Sequence, residues 1–313
     1  MEVGLITLVQ EQNHPAPSGH PENSLRLKKA LEYVEKSDIA RKVINFIPGE
    51  VDASCILGIH TREYIDEVKA TSAEGGGYLD GDTYVRPGTF KAAWETASAA
   101  IGAADAIMRG KFGRVFLAGR PPGHHAEKHH GMGFCVINNI AVAAESLVVN
   151  HRLKRIAIVD WDVHHGNGTQ HSFYERSDVF FVSLHRYPFY PGSGAGAERG
   201  SGNGEGYTLN VPLPVRTGAE RYLEEFHNKV IPALEKYRPE FILISCGFDA
   251  HFDDPLGGME MTEEAFGDMT GQLVALSDKY CEGRILSVFE GGYDPVSNGL
   301  CLYNHLKELQ AGK

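Results

Sequence analysis

The chain has 313 residues, of which 42% are hydrophobic and 23% charged, a composition that suits an α/β protein with ample core. The formal net charge of -11, without a Lys/Arg cluster, argues against direct nucleic-acid binding, and no apolar run is long enough to span a membrane. No linker divides the chain, so we predict a single domain over residues 1–313. The start carries no basic leader, and the 5 cysteines follow no disulfide or zinc-ribbon spacing. We therefore expect a soluble, cytoplasmic protein with reduced thiols.

The first predicted strand, Val3 to Val9, is followed by a polar loop and a helix. His14 and His20 lie in this Pro/Gly-containing loop, where we interpret them as residues that pin the loop by hydrogen bonds rather than as metal ligands. Arg26, one turn into the helix, would ordinarily be solvent-exposed. It is also placed where it could point inward beneath the loop.

The next segment predicts a short helix over residues 61–70, a glycine-rich loop, and a long Ala-rich helix from Thr89 to Met108. The small side chains of the long helix favour close packing against a sheet. Asp80 and Asp82 in the loop either line the rim of a pocket or are solvated turn residues, and both interpretations stay open.

A buried strand, Arg114 to Ala118, ends in a loop that contains GRPPGHHAE. His124 and His125 are held there beside two prolines and a glycine. Adjacent histidines at a strand end suit proton transfer because an imidazole titrates near neutral pH. Phe134, further along the loop, is either a wall of a channel or a buried core residue.

The apolar strand Ile156 to Val159 ends abruptly in Asp160, Asp162, His164 and His165. Ligands of open α/β sheets bind beyond the carboxyl ends of the strands, so this cluster lies where such a fold places its active site. Asp162 and His164 are two residues apart. In extended chain both side chains therefore point to the same side and can reach one metal ion.

The strand Val179 to Leu184 places Ser183 and the backbone of Leu184 where they can reach the back of this cluster. Phe189 and Tyr190 follow among Pro and Gly residues and are candidates for an opposite wall of the channel. The glycine-rich run after them matches no phosphate-binding pattern, so we interpret it as a surface loop.

Two later strands, Phe241 to Cys246 and Ile285 to Phe289, are predicted to deliver Asp249 and Tyr293 to the same edge. Tyr293 offers a hydroxyl donor, which is useful against a carbonyl oxygen. Asp254 is interpreted as part of an Asp-Pro turn.

Strands alternate with helices throughout, which predicts a parallel sheet with helices on both faces. Asp162, His164 and Asp249 supply oxygen and nitrogen ligands and leave positions for water and substrate, as in catalytic zinc sites. Iron(II) or cobalt(II) would also fit. With His125 as base and Tyr293 as donor to the developing oxyanion, the cluster predicts metal-assisted amide hydrolysis.

Five motifs in this order closely resemble the histone deacetylase and acetylpolyamine amidohydrolase family, especially class II: RPPGHHAE, VDWDVHHGNGTQ, SLHR, GFDAHFDDPLGG and EGGYDP. The resemblance covers essentially the whole chain. It implies an arginase-like α/β fold with a central eight-stranded, mainly parallel sheet. It also implies zinc on the three ligands above, a histidine pair with His125 as principal general base, and a tyrosine, Tyr293, that polarises the carbonyl.

The resemblance assigns further residues around this centre. Asp160 would orient His124. Asn167 stands where many class I members carry Asp, a class II feature that removes a charge next to His125. Arg26 resembles the family arginine behind the active site.

Potassium is also implied by the resemblance. One structural potassium ion would lie close to the zinc and be surrounded by Asp160, Asp162, His164, Ser183 and Leu184. A second potassium site would use carbonyls around Phe173, Val179 and Tyr207.

The substrate channel is less well determined. By resemblance, Phe134 and Tyr190 sandwich the stem of an acyl-lysine, and Asp82 is the rim candidate that accepts a substrate N–H. Polyamine-selective class II members carry a gatekeeper Glu seven residues after the last metal ligand, where this chain has Leu256. We therefore expect an acyl-lysine protein or peptide, or another small acylated amine, as substrate. Acetylpolyamine hydrolysis stays open, as does an oligomer whose dimer interface narrows the channel.

Two other functions compete with this prediction. A non-catalytic acyl-lysine binding module on the same fold would have lost a ligand, the base or the tyrosine, and none is lost. A two-metal ureohydrolase needs further bridging aspartates, whereas the residue two positions after His164 is Gly166. Hydrolysis of an N-acyl amine is the favoured prediction.

Overall fold

The computed structural model describes residues 1–312 of the chain. The strands are β1 (Val3–Leu8), β2 (Val43–Asn45), β3 (Gly77–Tyr78), β4 (Tyr84–Val85), β5 (Arg114–Gly119), β6 (Ile156–Asp160), β7 (Val179–Arg186), β8 (Thr208–Leu213), β9 (Phe241–Cys246) and β10 (Ile285–Phe289). The α-helices are α1 (Leu25–Glu35), α2 (Ile56–Ile59), α3 (Arg62–Ala73), α4 (Thr89–Met108), α5 (Asn139–Val149), α6 (Asn167–Phe173), α7 (Ala219–Glu225), α8 (Ile231–Tyr237), α9 (Glu263–Tyr280) and α10 (Pro295–Gln310).

A parallel sheet of eight strands, in the order β2-β1-β5-β10-β9-β6-β7-β8, forms the centre of the molecule. All its strands run in one direction, so their carboxyl ends lie along one edge. The strands β5, β10, β9 and β6 are consecutive in this order, and they bring the loops that follow them together. The predicted α/β architecture with an eight-stranded sheet is confirmed.

Side chains of the central strands alternate between two hydrophobic cores. In β9, Ile242 and Ile244 belong to the core formed with α1, α9 and α10, whereas Phe241 and Leu243 belong to the core formed with α4 and α5. Consecutive side chains of a strand point to opposite faces, so helices cover both faces of the sheet. This double burial explains why the strand appears in the sequence as an unbroken apolar run.

The predicted elements differ from the observed ones mainly at the sheet edges and in one loop. The six internal strands were predicted to within two residues at their ends, but the edge strands β2 and β8 were not predicted. The loop that follows α3 contains a short antiparallel hairpin in which Tyr78 pairs with Tyr84, so Asp80 and Asp82 lie at its turn. The predicted helix over 61–70 extends to Ala73.

Two further expectations concern the state of the cysteines and the presence of membrane-spanning helices. All five cysteines are free and buried, as expected. Within residues 1–312, no helix combines the length and apolar character needed to cross a membrane.

Candidate active site

Three side chains from two neighbouring strands converge at the carboxyl edge of the sheet. Asp162 and His164 follow β6, and Asp249 follows the adjacent β9. Nδ1 of His164 lies 3.1 Å from Oδ1 of Asp162 and 3.2 Å from Oδ2 of Asp249. One ligand atom from each residue lies within 4.8 Å of the others. The three residues predicted as metal ligands therefore lie together.

Backbone amides hold the outer oxygen of each carboxylate in this cluster. Oδ2 of Asp162 accepts a hydrogen bond from the Gly291 N–H at 2.7 Å, and Oδ1 of Asp249 accepts one from the Val163 N–H at 2.8 Å. The Gly291 backbone comes so close that a Cβ there would lie 2.1 Å from Oδ2 of Asp249. The other two oxygens, Oδ1 of Asp162 and Oδ2 of Asp249, are thus oriented towards His164, as expected for a pre-formed ligand set.

The cluster concentrates charge in a buried place. Burial and the charge of Asp162 raise the pKa of Asp249 to about 7. Burial alone would lower the pKa of His164, but its hydrogen bonds to Asp162 and Asp249 raise it to about 9. Two buried carboxylates beside one imidazole form a favourable environment for a bound cation. Their mixed oxygen and nitrogen donors fit a zinc ion with open coordination positions.

Two adjacent histidines face this cluster with different partners. Nδ1 of His124 lies 3.0 Å from Oδ2 of Asp160, whereas Nδ1 of His125 lies 2.7 Å from Oδ1 of Asn167. The two rings are 4.0 Å apart, and the ring of His125 is 5.8 Å from that of His164. The predicted histidine pair and its predicted partners are therefore all within the site.

The pKa values of the two histidines are shifted in opposite directions. Burial alone would lower the pKa of His124, but the charges of Asp162 and Asp160 raise it to about 10. Burial and the neighbouring charges of His124 and His164 hold the pKa of His125 well below its usual value. His125 is thus neutral at pH 7, which a general base requires.

Tyr293 is fixed through its backbone and its ring. Its N–H donates to Oδ2 of Asp254 at 2.6 Å, and its ring lies 4.6 Å from the guanidinium of Arg26. Burial raises the pKa of the Tyr293 hydroxyl, which keeps it a proton donor. Asp254 is therefore more than a turn residue: besides capping its own turn, it holds the segment that carries Tyr293.

Arg26 points inward beneath the loop, which is one of the two placements considered from the sequence, and not towards solvent. Its side chain is fully buried and donates to the carbonyl of Gly292 at 2.6 Å and to Oε1 of Glu22 at 3.0 Å. Glu22 also binds Arg120 through both carboxylate oxygens. This buried ion network supports the turn beneath Tyr293.

The two aromatic residues predicted to flank the channel are close to different catalytic candidates. The ring of Tyr190 lies 5.3 Å from that of His125, and the ring of Phe134 lies 5.9 Å from that of Tyr293. Phe134 has a left-handed backbone with φ of 68°, and its N–H donates to Oγ1 of Thr83 at 2.9 Å. The hairpin between β3 and β4 therefore fixes the loop that carries Phe134.

The rim candidates Asp82 and Leu256 are solvent-exposed. The carbonyl of Asp82 lies 3.2 Å from Nε2 of His20, and the N–H of Leu256 donates to Oδ1 of Asp254 at 2.9 Å. The carboxylate of Asp254 therefore holds the backbones of both Leu256 and Tyr293.

The predicted potassium ligands form two groups at opposite ends of β7. Ser183 pairs in register with Asp160, and its hydroxyl lies 2.8 Å from Nδ1 of His185. The Leu184 carbonyl accepts the Tyr222 hydroxyl at 3.0 Å. The second group lies near the start of the strand and consists of Phe173 at the end of α6, Val179 at the start of β7, and Tyr207 before β8.

Three further histidines considered in the sequence analysis lie outside the metal cluster. His165, although adjacent to His164, lies 2.8 Å from Oγ of Ser193 and 2.9 Å from Oε1 of Gln170. His14 lies 2.8 Å from Oγ1 of Thr89, and Nδ1 of His20 accepts the N–H of Glu22 at 3.1 Å. Their interpretation as loop-pinning residues is confirmed for His14 and His20.

Two acids near the histidine pair, the buried Glu290 and the partly buried Glu127, were missed. Oε2 of Glu290 accepts the N–H of Gly123 at 2.7 Å and that of His124 at 3.2 Å, while its Oε1 has no hydrogen-bond partner among residues 1–312. Glu127 accepts a hydrogen bond from Asn167. The signal for Glu290 was its place directly after a buried strand, the position that identified Asp160.

Comparisons with known proteins agree with this architecture. The Histone deacetylase domain family matches residues 20–309 of the chain. A "Probable deacetylase" of Archaeoglobus fulgidus is 38% identical over 94% of this chain and 82% of that protein. A "Histone deacetylase-like amidohydrolase" of Pseudomonas aeruginosa is 38% identical over 94% of this chain and 78% of that protein. The crystal structure of the HDA15 HD domain matches with a TM-score of 0.92 and 35% identity, covering 100% of this chain and 90% of that one. This chain therefore belongs to the histone deacetylase family of deacetylases and amidohydrolases.

Proposed function

We propose that this protein is a zinc-dependent amidohydrolase that removes acetyl or other acyl groups from the side-chain amine of lysine in proteins or peptides. The observation that carries the proposal is the convergence of Asp162, His164 and Asp249 beside two histidines of opposite pKa shift. A zinc ion held by the three ligands supplies a Lewis acid for the amide carbonyl, and iron(II) or cobalt(II) would fit the same donors.

His125 acts as the general base in this proposal. Its neutral imidazole takes the proton of the attacking water and later returns it to the leaving amine. His124, held in its charged form by Asp160 and Asp162, stabilises the negative charge that develops next to it. Asp160 orients His124 through the hydrogen bond to Nδ1.

Tyr293 donates its hydroxyl proton in a hydrogen bond to the carbonyl oxygen as that oxygen gains charge. Arg26 is the positioning residue beneath it, because it binds the carbonyl of Gly292 and stacks on the tyrosine ring. A phenol whose pKa is raised stays protonated at neutral pH, which this role requires.

Phe134 and Tyr190 form the walls that contact the aliphatic stem of the acyl-lysine, and Asp82 accepts a substrate N–H at the rim. Leu256 offers no charge to a polyamine, which favours lysine side chains over polyamines. Acetylpolyamine hydrolysis is the second candidate substrate class, because the exposed Asp82 lies beside Asp80 in an acidic turn that would attract a cationic amine.

Two structural potassium ions complete the proposed centre. The first would bind carbonyl and side-chain oxygens of Asp160, Asp162, His164, Ser183 and Leu184. The second would bind carbonyls of Phe173, Val179 and Tyr207. The carbonyls of Phe173 and Tyr207 each accept one backbone hydrogen bond, so each keeps a lone pair for a cation.

The test compares kcat/KM of zinc-loaded protein on an acetyl-lysine peptide and on an acetylated polyamine. We expect the peptide to be preferred and Tyr293→Phe to reduce kcat by about 10²- to 10³-fold, the usual effect of removing one oxyanion donor. A preference for the polyamine would transfer the assignment to acetylpolyamine hydrolysis. Turnover of neither substrate would contradict an amidohydrolase and favour a binding module.

A further inference from the structure

Asn167 connects His125 to a carboxylate on the same loop as the histidine pair. Its Oδ1 lies 2.7 Å from Nδ1 of His125, and its Nδ2 donates to Oε1 of Glu127 at 2.5 Å. The side chain of Glu127 is only 13% exposed. Asn167, the neutral partner of His125, is therefore itself hydrogen-bonded to the charged side chain of Glu127.

The donors and acceptors of these three side chains allow only one orientation of the Asn167 amide. An ionised carboxylate accepts hydrogen bonds and cannot donate, so the amide nitrogen of Asn167 must face Glu127. The other neighbours of that nitrogen, the sulfur of Met132 and the carbonyl of His125, each at 3.4 Å, are also acceptors. The amide oxygen consequently faces His125, whose Nδ1 must carry the proton. In the neutral ring, the lone pair is then on Nε2.

A second donor keeps Glu127 ionised. His171, one turn after Asn167 on α6, lies with its Nδ1 2.7 Å from Oε1 of Glu127. Burial alone would raise the pKa of Glu127, but the hydrogen bonds and charge of His171 and the bond from Asn167 lower it. The same face of one helical turn thus supplies both donors to the carboxylate.

We propose that Glu127 is a positioning residue that sets the tautomer of His125 by fixing the orientation of the Asn167 amide. The proposal rests on the proposed function, in which Nε2 of His125 is the base. Without Glu127 the amide can turn over and present its nitrogen to His125. Nδ1 would then have to accept, the proton would move to Nε2, and the ring would have no lone pair for the water proton.

The first test compares Glu127→Ala with Glu127→Gln in zinc-loaded protein. The glutamine keeps an oxygen that can accept from Asn167, so we expect its kcat to stay within about threefold of the wild type. The alanine removes the acceptor, and we expect kcat to fall by about 10- to 100-fold, as for other outer partners of a catalytic centre, with KM within about twofold. Glu175→Gln, which changes an exposed glutamate outside this hydrogen-bonded group, is the matched control.

A double variant gives a sharper test, because it depends on charge rather than on folding. Asn167→Asp places two carboxylates against each other and should reduce kcat/KM strongly. Adding Glu127→Gln relieves this repulsion and leaves a carboxylate on His125. In the Asn167→Asp background, we expect Glu127→Gln to raise kcat/KM by about tenfold or more. In the wild type, the same substitution should slightly lower kcat/KM. This rescue requires that the Glu127 carboxylate faces the side chain at position 167, so its absence would overturn the proposal.

The ring nitrogen shifts of ¹⁵N-histidine-labelled protein report the tautomer without reference to activity. The His125 signals, assigned by their absence in His125→Ala, should show a protonated Nδ1 in the wild type and a protonated Nε2 in Glu127→Ala. An unchanged tautomer, or Glu127→Ala with wild-type kcat, would overturn the role of Glu127. A wild type inactive on every acylated amine would instead overturn the proposed function, while the tautomer measurement still decides the role of Glu127.

Discussion

His124 and His125 are adjacent in the chain and 4.0 Å apart in space, yet they occupy opposite electrostatic environments. His124 contacts the carboxylate of Asp160, and its pKa is raised, whereas His125 contacts the amide of Asn167, and its pKa is lowered. The charge on His124 itself lowers the pKa of His125. The charges around each ring therefore separate the two histidines: carboxylates favour the charged form of His124, whereas burial and the neighbouring positive charges keep His125 free to accept a proton.

The largest expected effect separates the two rings directly. His125→Ala removes the base, and we expect kcat to fall by about 10²- to 10⁴-fold, the usual contribution of general base catalysis. His124→Ala removes an electrostatic contribution only, so its loss should be smaller. Single-turnover rates on an acetyl-lysine peptide measure both.

His129→Ala is the control for this pair, because His129 is an exposed histidine of the same loop. Its rate should equal that of the wild type. A greater loss in His124→Ala than in His125→Ala would reverse the assignment of roles.

The second prediction concerns the carboxylates that both histidines face. In Gly291→Ala the added Cβ would lie 2.1 Å from Oδ2 of Asp249 and 2.4 Å from Oδ2 of Asp162, so both side chains must move. We expect zinc affinity to fall by about 10- to 100-fold, as when other groups that orient metal ligands are disturbed. Competition with a chromogenic chelator measures this affinity.

Gly49→Ala provides the comparison variant, since a Cβ at Gly49 meets no atom of the described part of the chain within 4 Å. Its zinc affinity should be unchanged. Unchanged affinity in Gly291→Ala as well would mean that the close approach of this backbone has no role in holding the ligands.

The parts of the site that could be predicted from sequence are those that depend on strand ends. Asp162, His164 and Asp249 lie a few residues beyond the ends of buried apolar runs, and parallel strands bring such positions to one edge. Glu127 was not predictable in this way. It lies inside a loop, and its distance from Asn167 depends on how that loop folds back over α6. The role of Glu290 depends on the same loop, because its hydrogen-bond partners are backbone amides of that loop rather than side chains.

The fold shows the same division. β9 is buried on both faces, so its apolar run identified it. β2 has three residues, none of them buried, and β8 exposes Pro212. At the edge of a sheet, the pattern of side chains is set by the covering loops and helices, so it carries less information about the strand itself.

A third prediction removes the asymmetry between the two rings. Asp160→Asn gives His124 a neutral partner, similar to that of His125, and also weakens the bond from the Asp162 N–H to Oδ1 of Asp160. We expect kcat/KM to fall by about tenfold, at the lower end of the range for outer partners, because the charge and one acceptor are lost while the size of the side chain is kept. A change of less than twofold would show that the charge on His124 has no part in the reaction.

The smallest expected effect concerns His60, a third buried histidine, whose partners are both neutral. Its Nδ1 lies 2.9 Å from the carbonyl of Glu127, and its Nε2 accepts the N–H of Asn138 at 2.9 Å. Both nitrogens are thus committed, and burial lowers the pKa of His60 to about 4. Like His125, and unlike His124, this ring is held neutral.

The sign of the pH dependence follows from this lowered pKa. Below about pH 6.5 the unfolded chain binds a proton at His60 while the folded chain does not, so the free energy of unfolding decreases as the pH falls towards 4. Between pH 7.5 and pH 5, the wild type should lose about 2 kcal/mol more than His60→Gln, in urea unfolding at each pH. His227→Gln, which changes an exposed histidine, should keep the wild-type slope. Equal slopes in the wild type and His60→Gln would mean that the ring accepts a proton in the folded state. The bond from the Asn138 N–H would then not hold it neutral.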